Sequence, residues 1–398
     1  MGSPLTAQVR AANALTERWS ATFAAADAVV SGAGLWPLLA VLAGAAGGGA
    51  RAELADAVGI RAEDAHAAGL ELLRALDESR EVSTAIGTWV RPGLELRPEW
   101  VHSMPVGTVG VLGDQAVLDA WARDHTQGLI EQFPLQITPE TVLAVATALV
   151  ARTQWVQPFE PREFAPETGP WQGHRGPGLR RFSRGDRSVS ILGEDVTRVV
   201  VTGRGEFDVH LLISADGPRH GLAAGIAALD DAIEVRTDPP AGSIAPCLTV
   251  RRVESWGGGN GTSLALPPFE VRSAHDLTGQ AALFGLTTAL DGSRGHFPGL
   301  SDTPLALNAA AQHVLARFDA TGFEAAAVTA VAMAVAGMPR KQWSTITSVT
   351  IDRPFGFLAV DRASGLVLVA GQVTEPPRDR VRPATTESAR ARFPEPPP

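Results

Sequence analysis

Histidines come first among the residues that could do chemistry, because an imidazole near neutral pH can bind a metal, relay a proton or activate a nucleophile. The chain has nine: His66, His102, His125, His174, His210, His220, His275, His296 and His313. None has a histidine neighbour at HExxH or other short ligand spacing, so metal catalysis has no support and no metal is expected. There is no GxSxG turn, no Walker loop and no GxGxxG between a strand and a helix, which leaves acyl transfer and nucleotide binding without their usual scaffolds. The Gly-rich runs AGAAGGGA (43–50) and WGGGNG (256–261) lack what a phosphate cradle needs. The first has no Lys or Ser/Thr partner and reads as a helix–helix connection; the second precedes a strand and reads as a turn. Paired acids such as Asp230 and Asp231 read as a solvated face. Triads assemble in space rather than in sequence, so a hydrolase is the alternative reading. No catalytic residue and no cofactor are assigned.

The bulk composition narrows the field further. At 398 residues and 45% hydrophobic the chain can bury a large core, and its net charge of −9 offers no general field for a polyanion. Nucleic acid is therefore not an expected partner, although Arg180, Arg181, Arg184 and Arg187 could form a local basic patch. Cys247 is alone, which excludes an internal disulfide, and it reads as a small buried hydrophobe. The start, MGSPLTAQVRAANALTERWS, has no basic head followed by an unbroken apolar run. A cytoplasmic location is expected, or an extracellular one if the chain has been trimmed.

The elements come in a mixed order. Residues 6–60, 61–82 and 115–132 carry apolar side chains at three and four spacing and read as helices. From Val142 the chain turns to β-rich runs: VLAVATALVARTQW, VSILGEDVTRVVVTGRGEFDVHLLIS, CLTVRRVES and TSLALPPFEVRS. Pro161–Arg187, rich in Pro, Gly and Arg, reads as an irregular surface connection. A helix is expected at HDLTGQAALFG, and RASG joins VTIDRPFGFLAV to GLVLVAGQV as a hairpin. The expected architecture is α+β with substantial antiparallel pairing, one domain over 1–376 and a disordered Pro/Arg-rich tail over 377–398.

One run fits none of the ordinary roles. AAAVTAVAMAVAGM (Ala325 to Met338) carries no charge, yet it is too short and mild for a membrane span, so no membrane partner is expected. A buried Ala-rich helix is the plain reading. Against it, Val328, Val331 and Val335 do not favour a helix, and Pro339, Arg340 and Lys341 end the run in a polar tip. Taken with a period of two, one face carries Phe323, Ala325, Ala327, Thr329, Val331, Met333 and Val335. No proline interrupts the run, so a loop here is able to become a strand.

At this point the residues reach a resemblance. Gly322, Glu324, Ala325, Ala326, Ala327 and Thr329, with IDRPFGFLAVDRASGLVLVAGQVTEP (351–376) downstream, resemble the hinge and C-terminal signature of the serpins. AWARDHTQGLIEQF, TALVARTQWVQPF, SLALPPFEVRSAHDLTGQAALFGLTTAL and AAAQHVLARFDATG are similar to further family segments in the right order, from about residue 10 to 376. The resemblance is to a bacterial-type member. It implies a large main sheet with additional sheets, eight to nine helices, and an exposed reactive loop over about 322–345.

What the resemblance implies about function is suicide-substrate inhibition of a serine protease by a monomer. The protease cleaves the loop, is held as an acyl-enzyme, and the freed strand enters the main sheet. The hinge would be Gly322, Phe323, Glu324, Ala325, Ala326, Ala327 and Thr329, and the family's loop length implies a reactive bond between Ala336 and Gly337. Small residues there would suit an elastase- or subtilisin-like enzyme; Arg340 offers a trypsin-like alternative. His313 would take the place of the family's shutter histidine, Thr147 that of its asparagine, and Trp155 would mark the top of the main sheet. The departures are Ala320 for an acidic residue, SGAGLWPL (31–38) for a Ser-Pro helix start, a long Gly337–Arg353 segment, and Phe323 for Thr or Ser. As the first side chain expected to enter the sheet, Phe323 would slow insertion through an overpacking cost of ~1 to 3 kcal/mol. Without insertion the same fold implies a ligand carrier or structural protein.

Overall fold

The computed structural model describes residues 5–125, 133, 138, 141–256, 259–323 and 341–376. Among these, eight α-helices precede and interrupt twenty strands. The helices are α1 (Thr6–Ser20), α2 (Gly32–Ala45), α3 (Gly48–Val58), α4 (Ala62–Asp77), α5 (Pro98–Ser103), α6 (Gln115–His125), α7 (Pro218–Leu229) and α8 (Ala281–Phe284). None is long and apolar enough to cross a membrane.

Three sheets share the strands. The main sheet holds β2 (Val82–Val90), β3 (Val109–Val111), β4 (Leu143–Ala151), β5 (Thr153–Gln154), β15 (Phe269–Asp276), β16 (Ala309–Phe318) and β17 (Gly322–Phe323). Its order is β3-β2-β4-β16-β17-β5, with β15 on the other side of β16. A second sheet, in the order β12-β13-β18-β14-β7-β6, is built from β6 (Glu160–Phe164), β7 (Gly176–Arg184), β12 (Ile244–Ala245), β13 (Leu248–Trp256), β14 (Gly261–Leu266) and β18 (Lys341–Thr350). The third, in the order β1-β20-β19-β10-β9-β8-β11, holds β1 (Ala28–Val30), β8 (Val189–Leu192), β9 (Val196–Thr202), β10 (Phe207–Ile213), β11 (Val235–Thr237), β19 (Phe355–Asp361) and β20 (Val367–Val373).

The element packed behind the main sheet is α2. Every one of its residues except Gly44 is buried, as an apolar sequence without periodicity requires. Ser31 starts it: its hydroxyl accepts from the Gly34 N–H at 3.0 Å and donates to the Leu368 carbonyl at 2.6 Å, tying the helix to β20. No proline follows Ser31 directly, yet the cap fixes the helix start. The RASG hairpin is present as β19–β20.

The Pro161–Arg187 segment departs from its expected irregularity, since it contributes β6 and β7. Pro161 is tolerated because β6 is the edge of its sheet, where a missing N–H costs no ladder bond. In β7 the residues Leu179, Arg181 and Ser183 turn inward while Arg180, Phe182 and Arg184 face out. Arg181 is buried, its guanidinium 4.7 Å from the Phe159 ring centre, so an expected surface arginine is a core packing element. Cys247 is half-buried; its thiol donates to Asp352 at 3.2 Å, and burial pushes its pKa up to about 12. Residues 377–398, expected as a tail, lie outside the described residues.

His210 gives the third sheet a pH dependence. It sits on β10 between Val200 and Leu358, and its Nδ1 has no hydrogen-bond partner. Burial, with the Arg198 charge adding to it, lowers its pKa from 6.5 to about 4. As pH falls below 6.5 the unfolded chain takes up this proton first, so stability is lost between pH 6.5 and 4 and is fully present above that window. The loss amounts to ~3 kcal/mol across it. Denaturant titrations at pH 7 and pH 4.5 should show His210→Leu losing about 2 kcal/mol less than the wild type; equal losses would contradict this origin.

Candidate functional site

The feature that distinguishes the main sheet is a strand pair that closes at one end and parts at the other. β4 and β16 run parallel and pair from Ala309 opposite Ala144 to Val314 opposite Leu149. Beyond Val314 they separate. The gap is filled by β17, which lies antiparallel to both flanks: Phe323 pairs with Phe318 on β16 and with Thr153 on β5, and Gly322 pairs with Gln154.

A turn built on Asp319 reverses the chain from β16 into β17. Its carboxylate accepts from the Thr321 N–H at 2.8 Å, the Thr321 hydroxyl at 2.9 Å and the Gly322 N–H at 3.1 Å. Three successive carbonyls of this turn are also capped from one side. The Asp319 carbonyl accepts from Trp155 Nε1 at 2.9 Å, that of Ala320 from the Phe159 N–H at 2.7 Å, and that of Thr321 from the Trp155 N–H at 2.9 Å. Trp155 is fully buried and leans on Phe318 with ring centres 4.6 Å apart. It therefore holds the turn with backbone, indole N–H and ring together. Ala320 has no carboxylate to offer this turn; that of the preceding residue, Asp319, holds it.

Phe323 is 1% exposed, packed 6.1 Å from Phe207 and 6.5 Å from Phe357. It is already inside the sheet and joined to the aromatic cluster beneath it. The opposite flank, Thr153, is pinned by a hydroxyl donated to Glu81 at 2.7 Å, and the same carboxylate accepts from the Glu206 N–H at 2.7 Å.

Lower down, where β4 meets β16, a buried polar link crosses to α2. Gln312 is fully buried; its Nε2 donates to the Ser31 carbonyl at 2.8 Å and to the Thr147 hydroxyl at 3.2 Å, while its Oε1 accepts from the Ser31 N–H at 3.0 Å. Thr147 is opposite Gln312 in the register. On the far side of the opening, β18 leaves residues 324–340 as the central member of its sheet. It pairs with β13 over nine positions, from Lys341 opposite Trp256 to Val349 opposite Leu248, and with β14 over five. The long Gly337–Arg353 segment thus contains a strand held on both edges.

A family model for Serpin (serine protease inhibitor) matches residues 7–168 and 243–376. The chain belongs to the serpin family. This serpin is 27% identical to plasminogen activator inhibitor 1 of Sus scrofa over 271 residues, 65% of this chain and 61% of the relative. It is 25% identical to the Bos taurus protein of the same name over 88% of this chain and 87% of the relative. Among solved structures, the thermophilic serpin tengpin in its native state superposes with a TM-score of 0.70 at 16% identity, covering 93% of this chain and 94% of that one. A thyroxine-binding globulin complex with thyroxine gives 0.69 at 16% identity, covering 94% and 99%. The eight helices and three sheets are the serpin fold.

Of the expected site residues of this serpin, Gly322, Phe323, Trp155 and Thr147 line the opening or the closed ladder below it. His313 does not join Thr147: it follows Gln312 on β16 and so turns to the opposite face, opposite Ala148. Half-buried there, its pKa is lowered by burial and by His275. The polar link is made by Gln312, which the sequence reading passed over for its neighbour. Glu324, Ala325, Ala326, Ala327, Thr329, Ala336, Gly337 and Arg340 lie outside the described residues.

Gln312→Ala should strip the Ser31 backbone and the Thr147 hydroxyl of partners in a dry place and cost about 2 to 4 kcal/mol. His313→Ala should cost about 1 kcal/mol. Denaturant midpoints at unchanged slope would report both, and a larger loss from His313→Ala would reverse the assignment.

Proposed function

We propose that this serpin inhibits serine proteases as a suicide substrate, with a reactive loop cleaved near Ala336–Gly337 and then inserted between β4 and β16. The observation that carries the reading is β17, the first two loop residues, lodged at the top of a strand pair that is closed below. Continued downward, the same register brings residue 325 opposite Ala316 and Ala151, residue 329 opposite Gln312 and Thr147, and residue 333 opposite Leu143. The loop sequence suits each position. Small Ala325 and Ala327 meet the aliphatic upper strands, Thr329 meets the polar link, and Val331 and Met333 meet the apolar lower end.

The physics favours that exchange once the loop is cut. One β4–β16 ladder is lost and two are made, while Val331 and Met333 contribute ~1.5 to 3 kcal/mol each on burial. About 14 inserted residues at ~3.3 Å carry a tethered protease by ~45 Å. The Phe323 overpacking expected from sequence is not a step of this insertion, because that side chain is already buried. A second reading, a serpin fold that does not trap proteases, is supported by the same residue: an aromatic anchor at the hinge could hold β17 in place rather than lead it down.

Incubation with elastase-like, subtilisin-like and trypsin-like enzymes separates the readings. We expect SDS-stable complexes with the first two and a released peptide whose mass begins at Gly337. A peptide beginning at Lys341 would move the reactive bond to Arg340, and absence of complex with all three would reject inhibition. Thr329→Glu should be cleaved without forming complex, because a carboxylate cannot enter beside Gln312 without losing its solvation. Undiminished trapping by that variant would contradict the register.

A further inference from the structure

Trp343 is exposed to 61%, more than any other aromatic side chain among the large exposed hydrophobic residues described. It stands on β18, two residues into the strand, and the Arg252 guanidinium of β13 lies over its ring at 5.5 Å. The pair is rigidly mounted, since Arg252 is opposite Thr345 and Trp343 opposite Glu254 in a nine-position ladder. Arg252 is exposed and makes no ion pair with a described carboxylate. With the exposed Glu254 on the same face of β13, this is a cation beside a fixed indole, the residue types that dominate binding hot spots.

Resting on the inhibitory reading above, we propose that Trp343 and Arg252 form a second docking point for the target protease, on the leaving-group side of the cleaved bond. Continuity argues for that occupant. From Gly337 to Trp343 is six residues, ~20 Å when extended. A protease domain of about 250 residues is ~45 Å across. An enzyme closed on Ala336–Gly337 is therefore within reach of Trp343, and more closely so if the bond is at Arg340. The complementary surface is an apolar spot flanked by carboxylates. Acidic rims would be selected, and like-charged basic ones repelled, which adds specificity that small residues at the reactive bond cannot supply.

Binding of the intact chain to elastase-like, subtilisin-like and trypsin-like enzymes whose nucleophile has been replaced tests this without requiring any trapping. Trp343→Ala and Arg252→Glu should each weaken binding of the tightest enzyme at least about tenfold, with Trp343→Phe retaining most of it. Arg251→Glu, on the opposite face of β13, should change binding less than about threefold. Unaltered melting temperatures control for the fold. Equal affinities for wild type, Trp343→Ala and Arg252→Glu would overturn the proposal. So would equal losses from Arg251→Glu and Arg252→Glu, absence of binding to all three enzymes, or a wild-type dimer that Trp343→Ala dissolves. Binding that depends on the pair but never matures to an SDS-stable complex would instead overturn the inhibitory reading and leave this docking surface standing.

Discussion

Six residues of parallel pairing between β4 and β16 are the contact on which the molecule turns. While they hold, the main sheet is one strand short of what its own loop could supply. Each backbone group in that ladder has a single partner strand on that side, and a strand placed between would give both flanks a new neighbour. On the proposed reading, that exchange is blocked below and begun above. Gln312 ties the ladder to α2 through Ser31, and Thr147 shares the bond. At the top, Asp319 and Trp155 fold the chain back so that β17 already points down the gap. At the other end of the loop, β18 is paired on both edges, which in the proposed mechanism would keep the intact chain from following.

Phe323 changes meaning in this setting. Considered by its size, it is a poor first side chain to push into a packed sheet. Buried between Phe207 and Phe357 with its backbone paired on both sides, it is instead part of the resting structure. On the proposed reading it adds no overpacking to the insertion, and the residues left to enter the sheet, 324–333, are Glu324 followed by alanine, valine, threonine and methionine. In the proposed insertion the Phe323 side chain is thus an anchor, and the ladder beneath it carries the resistance.

Much of the fold was legible because alternation and periodicity follow from burial. The β19–β20 hairpin, the helices of the first third and strands β8, β9 and β10 carry their pattern openly, whereas β1 lies inside the 6–60 run that reads as helical and is a correction to it. β6 and β7 did not, since a proline at a sheet edge and an arginine buried against Phe159 have the composition of a loop. At the site, hinge and tryptophan were readable by type. The polar link was not: with a period of two, Gln312 and His313 differ only in the face they take, and one step of register decides which is buried. Asp319 escaped for the same reason, as a turn carboxylate acts through the backbone positions it can reach and no residue type marks them. The nine-position clasp on β18 depends on β13, distant in sequence, and no local pattern reports such a pairing.

The most direct test of this account is the thermal stability of the chain before and after its loop is cut by a protease too dilute to form complex. If residues 324–333 replace the β4–β16 ladder with two, the cleaved chain should melt well above the intact one, by on the order of 20 °C or more for several kcal/mol of new pairing and burial. A cleaved chain that melts at the same temperature as the intact one would mean that the sheet stays closed, and that β17 is a fixed wedge rather than the start of an insertion.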